Sequence, residues 1–327
     1  MRFIVRRLGF YVVAAWVAVT VNFFIPRALP GNAVQAMMAK FQDLPPQAYH
    51  ALELQFGTGH QGSLFHQYFG YLGNLLSGNL GTSVIASPAS VVSVLRATVP
   101  WTLALVGTAT IISFVLGTML GIVAAWRRGG WLDRSLPAFT FIQATPYFFL
   151  ALLLIELFSL NWHIFPFANG FALGDVPGWN WPFIGSALYH SILPALTIVI
   201  TSMAGWMLQM RNVMITTIGE DYVLAAQAKG LKPRRIMFTY AARNAILPNI
   251  AGFSLAIGFV VAGALIMEFV FSYPGVGLTL YNAVVSDDYA LIQGIFLVIS
   301  MAVLLACLLA DIVYVIADPR TRTRAAY

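Results

Sequence analysis

Three carboxylates surrounded by apolar sequence are the residues of this chain that could do chemistry. Glu156, Glu268 and Asp311 lie inside long apolar runs, where ionisable side chains usually mark a substrate path, a proton relay or a buried ion pair. Glu268 precedes the turn at Gly275, so we expect it to cap backbone amides there and favour this role over substrate contact. We expect Asp311 to pair with an arginine such as Arg320, whereas Glu156 has no expected partner.

The sequence lacks the patterns of metal, nucleophile or nucleotide chemistry. Its five histidines are scattered, with no His-x3-His or Cys-x2-Cys pair to hold a metal. It has no Gly-x-Ser-x-Gly motif, and no lysine follows a phosphate-binding Gly-x4-Gly. Cys307 is the only cysteine, which excludes an intramolecular disulfide. We therefore expect no catalytic residue, no metal and no cofactor in this chain, which cannot hydrolyse ATP alone.

The composition is that of an integral membrane protein. The chain is 59% hydrophobic and 9% charged, with a mean hydropathy of +0.79, whereas soluble domains carry roughly 25% charged residues. A closed barrel would show alternating segments of about ten residues, which are not visible. Six runs approach the roughly 20 residues that a helix needs to cross a bilayer, and they predict an all-α bundle: Gly9–Ile25, Trp101–Ala125, Leu136–Leu160, Leu188–Met210, Leu247–Val270 and Leu291–Ile316.

The basic residues indicate the topology of these spans. The net charge is +6, and the arginines and lysines concentrate in the N-terminus, in 127–134, in 211–243 and in the C-terminal tail. The stretches 161–190 and 272–290 contain neither lysine nor arginine. By the positive-inside rule both termini are cytoplasmic. The first run lacks a small-x-small cleavage pattern, so we interpret it as a retained helix and not a signal peptide.

The spans divide the chain into four segments. Residues 1–30 form the N-terminal transmembrane helix, 31–97 an extracytoplasmic segment, 98–317 the membrane core and 318–327 a cytoplasmic tail. Within the outer segment we predict short helices at Gln47–Phe56 and His66–Leu76, followed by a turn at 78–83. This segment could contact an extracytoplasmic partner or simply cap the bundle. Aromatic anchoring at the membrane interface explains the tryptophan-rich loop at 161–189.

A polar, alanine-rich helix interrupts the apolar sequence within residues 212–246, hereafter the coupling loop. Asp221 favours a helix N-terminus, and Gly230 suits a C-terminal cap that needs positive φ. Pro233 then suits the first turn of a second, basic helix ending near Pro248. Such an insert is typical of a contact with a soluble partner. The alternative is an ordinary interfacial loop with snorkelling arginines.

Several motifs occur together in one order along the chain. They are Gly78-Asn79-Leu80-Gly81-Thr82-Ser83, Trp131-Leu132-Asp133-Arg134, Tyr222-Val223, Ala226-x-Ala228-Lys229-Gly230-Leu231, Arg243-Asn244-Ala245-x-Leu247-Pro248, Glu268-x-Val270-Phe271-x-x-Pro274-Gly275-x-Gly277, Asp288-Tyr289-x-Leu291-Ile292-Gln293-Gly294 and Asp311-x-x-Tyr314-x-x-x-Asp318-Pro319-Arg320. With these motifs the chain resembles the peptide/nickel-type permeases of ATP-binding-cassette (ABC) importers. Leu224 replaces the glutamate that begins the general consensus of the coupling helix, as in peptide-type members.

The resemblance implies a type I importer permease in a bacterial or archaeal cytoplasmic membrane. Its partners would be a second homologous permease, two ATPase subunits or domains that bind ATP-Mg, and an extracytoplasmic solute-binding protein. The substrate would be di- or oligopeptides, with β-linked oligosaccharides as the alternative. The residues implied in ATPase coupling are Asp221, Tyr222, Ala225, Ala226, Ala228, Lys229, Gly230, Leu231, Arg234 and Pro248. Those of a possible gate or pathway are Glu156, Glu268, Pro274, Gly275 and Asp311.

The coupling interpretation makes its own prediction, and two other classes of protein compete with it. Gly230→Val or Ala226→Arg is expected to uncouple ATP hydrolysis from transport while leaving membrane insertion intact. A channel-like homo-oligomer would need a selectivity filter or ring, and an intramembrane enzyme would need a facing catalytic pair. Neither class accounts for the cytoplasmic helix of small residues.

Overall fold

The computed structural model describes most of the chain. It covers residues 2–28, 63–86, 89–260 and 265–317, and it describes no side chains at 2–6, 26, 28 and 313–317. The helix predicted at Gln47–Phe56, the C-terminal tail and Arg320 lie outside the described residues.

Helices make up most of the described structure, as the composition predicts. An isolated antiparallel bridge between Thr82 and Ser90 is the one β interaction found in these ranges. The α-helices are α1 (Arg2–Ala28), α2 (Leu64–Leu76), α3 (Val91–Thr102), α4 (Thr108–Trp126), α5 (Trp131–Arg134), α6 (Leu136–Ala144), α7 (Tyr147–Leu154), α8 (Trp181–Ile218), α9 (Asp221–Ala228), α10 (Pro233–Arg235), α11 (Arg243–Ala245), α12 (Leu247–Phe259), α13 (Leu265–Val270), α14 (Val276–Val285) and α15 (Tyr289–Ala317), with π-helical segments at Leu103–Gly107, Ile155–Asn161 and Ile236–Ala242.

Four or five of these helical stretches could cross a membrane. Within the described ranges, Arg7–Ile25, Val91–Trp126, Trp181–Ile218 and Tyr289–Ile312 are each long and apolar enough. A fifth candidate is a pair of helices, Leu136–Ala144 and Tyr147–Asn161, related by a bend of 101°. The all-α, multi-pass class predicted from the sequence is thus confirmed.

The third of the six predicted spans differs from a straight helix. It breaks before Pro146, which lacks a backbone N–H and disfavours helical geometry at Thr145. The hydropathy of this run is continuous, so it did not reveal the break. The fifth predicted span, Leu247–Val270, contains α12 and α13, and residues 261–264 between them lie outside the described residues.

The chain divides into two compact units. One unit comprises the described residues of Met1–Thr102, Val261–Phe269 and Tyr273–Leu305. Its core brings together apolar side chains from α3, α14 and α15, and burying each large one contributes roughly 1.5–3 kcal/mol. The buried members are Val91, Leu95, Val276, Leu280, Ala283, Leu291, Ile292 and Ile295.

The second unit comprises the described residues of Leu103–Val260, Val270–Ser272 and Ala306–Tyr327. Its helices α4 and α8 pack with their backbones in close approach, because α4 presents Gly117 and Gly121 one turn apart. A Cβ atom at Gly117 would lie 2.5 Å from the carbonyl oxygen of Met203, well inside van der Waals contact. Small residues at this four-residue spacing are typical of packed membrane helices, and they fix the base on which the coupling loop rests.

An ion pair ties α5 to α8 in this unit. Asp133 accepts a hydrogen bond from Arg211 Nε at 2.8 Å and lies 2.7 Å from Arg211 Nη2. Its second oxygen accepts from the Gly129 amide at 2.9 Å. The bond from Gly129, followed by that from Arg211, holds the pKa of Asp133 below its ordinary value.

This lowered pKa predicts a loss of stability in acid. A carboxyl whose pKa is lower in the folded state stabilises the fold above its unfolded pKa of about 3.9, and this contribution disappears as pH falls through the folded pKa. Asp133→Asn should therefore melt at a lower temperature than wild type at pH 6, with the difference shrinking towards pH 3. Thermal unfolding of both proteins across this range measures the effect, and a constant difference would contradict it.

Candidate functional site

Helix α8 continues into the coupling loop as far as Ile218, and the next helix of the loop, α9, ends in a tight glycine cap. The Leu231 amide donates to Ala226 O at 3.4 Å, and the Gly230 amide donates to Gln227 O at 2.9 Å. These two bonds form a Schellman motif, which satisfies carbonyls at the helix end. Gly230 has φ +70°, so the sequence prediction of a positive φ at this position is confirmed.

One face of α9 is buried against the protein itself. Val223 is fully buried and Ala226 is 2% exposed. These two residues belong to a cluster that extends over the ends of α4 and α8 and the second half of the loop, whose other buried members are Ile122, Ala125, Met210, Met214, Ile236, Ala241, Ala242 and Ala245. This packing fixes α9 to the rest of the unit. A helix that transmits a movement must be fixed in this way.

The opposite face of α9 is open to solvent and unusually apolar. Tyr222 and Leu224 are 40% and 48% exposed, and Ala225 lies exposed between them. Exposed neighbours of these three are Asp221, Gln227, Ala228 and Lys229. A short helix that displays a tyrosine, a leucine and two alanines offers a small surface for close contact with another protein.

The second half of the loop carries exposed positive charge. Pro233 starts α10, as predicted, and Arg234 and Arg235 on this helix are exposed. Arg243 is also exposed, and Pro248 lies in the first turn of α12. Basic residues beside α9 could steer an acidic partner surface onto this helix.

The predicted coupling residues therefore separate into two groups. Asp221, Tyr222, Ala225, Ala228, Lys229, Gly230, Arg234 and Pro248 are exposed, whereas Ala226 is buried and Leu231 is half-buried. An arginine at Ala226 would enter the core of the loop and would not meet a docked partner. The expectation that Ala226→Arg would uncouple ATP hydrolysis from transport treated Ala226 as a docking residue, whereas the structure places it in the packed core.

Gly230 offers a direct test of the cap. Non-glycine residues in the left-handed region cost roughly 1–2 kcal/mol, and asparagine tolerates it best. No atom lies within 4 Å of a Cβ placed there, so the backbone conformation alone should decide the effect. Gly230→Val is expected to lower both the melting temperature and transport, and Gly230→Asn to retain most of both. Equal behaviour of the two variants would show that the cap is unimportant.

A second site is built around the buried carboxylate of Glu268 on α13. Glu268 Oε1 accepts from the Thr102 hydroxyl at 2.7 Å, and Oε2 accepts from the Gly277 amide at 2.6 Å. The Thr102 hydroxyl in turn accepts from the Val276 amide at 2.8 Å. Three groups at the start of α14 and the end of α3 are thus connected through one fully buried side chain.

This arrangement matches the predicted capping role of Glu268. The first amides of a helix lack intrahelical partners and attract a carboxylate, and Gly275 leaves no Cβ to obstruct the Glu268 side chain. Pro274 lies half-buried in the same turn. Both oxygens of Glu268 are already occupied by protein donors, which leaves the carboxylate committed to holding this turn.

The other predicted gate residues lie elsewhere. Glu156 is exposed, and its side chain accepts from Asn161 at 3.1 Å. Asp311 is half-buried in α15 and interacts with the surrounding protein. The structure therefore brings Glu268, Pro274 and Gly275 into one turn, and it does not show Glu156 or Asp311 there.

Asp288 is a buried carboxylate that the sequence analysis did not single out. Its Oδ2 accepts from the Ser83 hydroxyl at 2.6 Å and from the Val84 and Ile85 amides at 2.7 and 3.1 Å. Its Oδ1 accepts from the Leu291 amide at 3.1 Å at the start of α15. The two motifs that contain Ser83 and Asp288 were each visible in the sequence, but their separation of 205 residues hid the link.

Comparison with known proteins gives consistent matches over nearly the whole chain. A family described as binding-protein-dependent transport system inner membrane component matches residues 117–323. The chain is 32% identical over 337 residues to the di/tripeptide transport system permease protein DppB of Pseudomonas aeruginosa, covering 98% of this chain and 99% of that protein. It is 32% identical to the oligopeptide transport system permease protein AppB of Bacillus subtilis (91% and 92% covered) and 31% identical to the dipeptide transport system permease protein DppB of Escherichia coli K12 (98% and 99%).

Proposed function

Because the chain belongs to the family of inner membrane components of binding-protein-dependent transport systems, we propose that it is the permease subunit of an ATP-driven importer of di- and oligopeptides. The family resemblance expected from the motifs is confirmed by these matches. The three relatives described above are all named as peptide permeases, which favours peptides over β-linked oligosaccharides.

The observation that carries the proposal is the difference between the two faces of α9, one buried and one exposed. Its Val223 and Ala226 face is anchored in the protein, while Tyr222, Leu224 and Ala225 are presented outwards. A helix that is rigid on one side and apolar on the other is suited to sit in a groove of a separate ATPase. Closure of two such ATPases on ATP-Mg would then push on α9 and switch the membrane helices between inward-open and outward-open states.

The remaining parts of the proposal concern the assembly and its orientation. The second permease, most simply a homologue, supplies the other half of the pathway, and an extracytoplasmic binding protein delivers the peptide. Both termini and the coupling loop lie in the cytoplasm of a bacterium, in accordance with the positive-inside rule. Six spans result if the apolar run Leu247–Val270 forms one further crossing, in addition to the five candidates described.

Native purification tests this proposal. The chain is extracted from its own membranes with a mild detergent, and the proteins that accompany it are identified by mass spectrometry. We expect a second permease and one or two ATPases with Walker motifs. A homo-oligomer without any ATPase would contradict the proposal and favour a channel.

A further inference from the structure

A polar cavity of about 330 Å³ lies beside the end of α1, within the first unit. Its walls come from α1, α2, the 79–81 turn and α15. The polar side chains along them include Asn22, Arg27, Gln67 and Gln293. Arg27 carries a permanent positive charge, and the described lining includes no aspartate or glutamate. The cavity is therefore suited to an anionic group.

Two buried polar atoms on residues that line the cavity have no hydrogen-bond partner among the described residues. Asn22 is 2% exposed, and its amide nitrogen donates to Gln293 O at 2.9 Å, which orients the side chain and leaves Oδ1 without a donor. Arg27 donates to Phe23 O and Gln67 Oε1 at 2.7 and 3.1 Å, while its Nε is unpaired. Buried polar groups are rarely left unpaired, because each has lost its hydrogen bonds to water without replacing them.

The Arg27 guanidinium is held in place before any ligand arrives. It lies 3.6 Å from the centroid of the Phe23 ring, in a cation–π contact that adds to its two hydrogen bonds. A fixed guanidinium loses little side-chain freedom when it binds an oxyanion. The residues that line the cavity thus provide a preorganised donor, Arg27, and an acceptor that no described group occupies, Asn22 Oδ1.

The position of the cavity favours a membrane lipid. The apolar span of α1 ends at Ile25, so Asn22 and Arg27 lie where the hydrocarbon core gives way to the headgroups. On the same helix Val17, Val21 and Phe24 are about half exposed, which provides an apolar surface for acyl chains. We propose that the cavity binds the headgroup of a glycerophospholipid, with its phosphate on Arg27 and a headgroup donor on Asn22 Oδ1.

The donor Arg27 and the acceptor Asn22 Oδ1 together restrict which lipid headgroups the cavity can bind. A phosphodiester supplies only acceptors, whereas phosphatidylethanolamine and phosphatidylglycerol add an ammonium or hydroxyl donor that could reach Asn22. Phosphatidylcholine has no such donor, and inorganic phosphate lacks the acyl chains. These four compounds separate a lipid site from a simple anion site.

Glycine positions on α2 provide matched variants. Gly70 lines the cavity and Gly73 does not, and a Cβ at either position meets no atom within 4 Å. Both lie inside a helix, where replacing glycine by another residue favours folding. Gly70→Glu places a carboxylate at the cavity wall, Gly70→Gln adds similar bulk without charge, and Gly73→Glu adds the same charge outside the cavity.

The full chain, purified in detergent with the subunits that accompany it and stripped of lipid, is titrated with each compound. Thermal unfolding and native mass spectrometry report binding. We expect phosphatidylethanolamine or phosphatidylglycerol to raise the melting temperature of wild type, Gly70→Gln and Gly73→Glu, and to bind Gly70→Glu at least about fivefold more weakly. Equal binding to Gly70→Glu, an equal effect of phosphatidylcholine, or an effect of inorganic phosphate without lipid would overturn the proposal.

Discussion

Ala225→Arg is expected to abolish ATP-driven uptake while leaving the protein folded. Ala225 is exposed on the face of α9 opposite the buried cluster, so an arginine there points into solvent in the isolated chain. In a complex it would bring an unpaired charge into a close contact, at a cost of about 3–5 kcal/mol. This corresponds to a loss of docking affinity of at least about a hundredfold.

The neighbouring alanine provides a matched control for this variant. Ala226 is 2% exposed and packs with Met210 and Met214, so Ala226→Arg should lower the melting temperature sharply and reduce the yield of folded protein. Ala225→Ser should resemble wild type in both assays. Uptake by Ala225→Arg at the wild-type rate would contradict the docking role of this face, and a stable Ala226→Arg would contradict the packing of α9.

Glu268→Ala is expected to destabilise the protein by about 3–5 kcal/mol. The substitution removes the acceptor of the Thr102 hydroxyl and of the Gly277 amide, and each unpaired buried donor costs about 1–3 kcal/mol. It also leaves a cavity at a site that is fully buried. The first turn of α14 should loosen, which thermal unfolding in detergent would detect as a large fall in melting temperature.

Two further variants test whether the loss of stability comes from this hydrogen-bond network or would follow the removal of any carboxylate. Thr102→Val keeps the shape of the side chain but removes its bonds to Glu268 and the Val276 amide, and should destabilise less than Glu268→Ala. Glu156→Ala changes an exposed carboxylate and should alter stability by no more than about 0.5 kcal/mol. If Glu268→Ala had the same melting temperature as wild type, the capping role of Glu268 would be wrong.

Features determined by neighbours in the sequence were predictable. The positive φ of Gly230 follows from glycine at the end of a short helix. The capping role of Glu268 follows from a turn only nine residues away. In both cases the partner groups lie within a few turns of chain, so the residue types and their spacing contain the necessary information.

Features determined by tertiary packing were not predictable in the same way. Thr102 lies 166 residues from Glu268, and a threonine inside an apolar helix carries no signal that identifies its partner. The inward face of α9 was also hidden, because alanines occur at both buried position 226 and exposed positions 225 and 228. The bend before Pro146 did have a local signal, but the apolar run on both sides favoured a single span.

Uptake into proteoliposomes tests the central claim most directly. The chain is reconstituted with its co-purifying permease and ATPases, the extracytoplasmic binding protein is added on the opposite side from ATP, and a labelled tripeptide is supplied. The account predicts peptide accumulation that requires ATP hydrolysis, with wild type active and Ala225→Arg inactive in an intact complex. Equal peptide entry with and without ATP, or uptake that Ala225→Arg leaves unchanged, would contradict it.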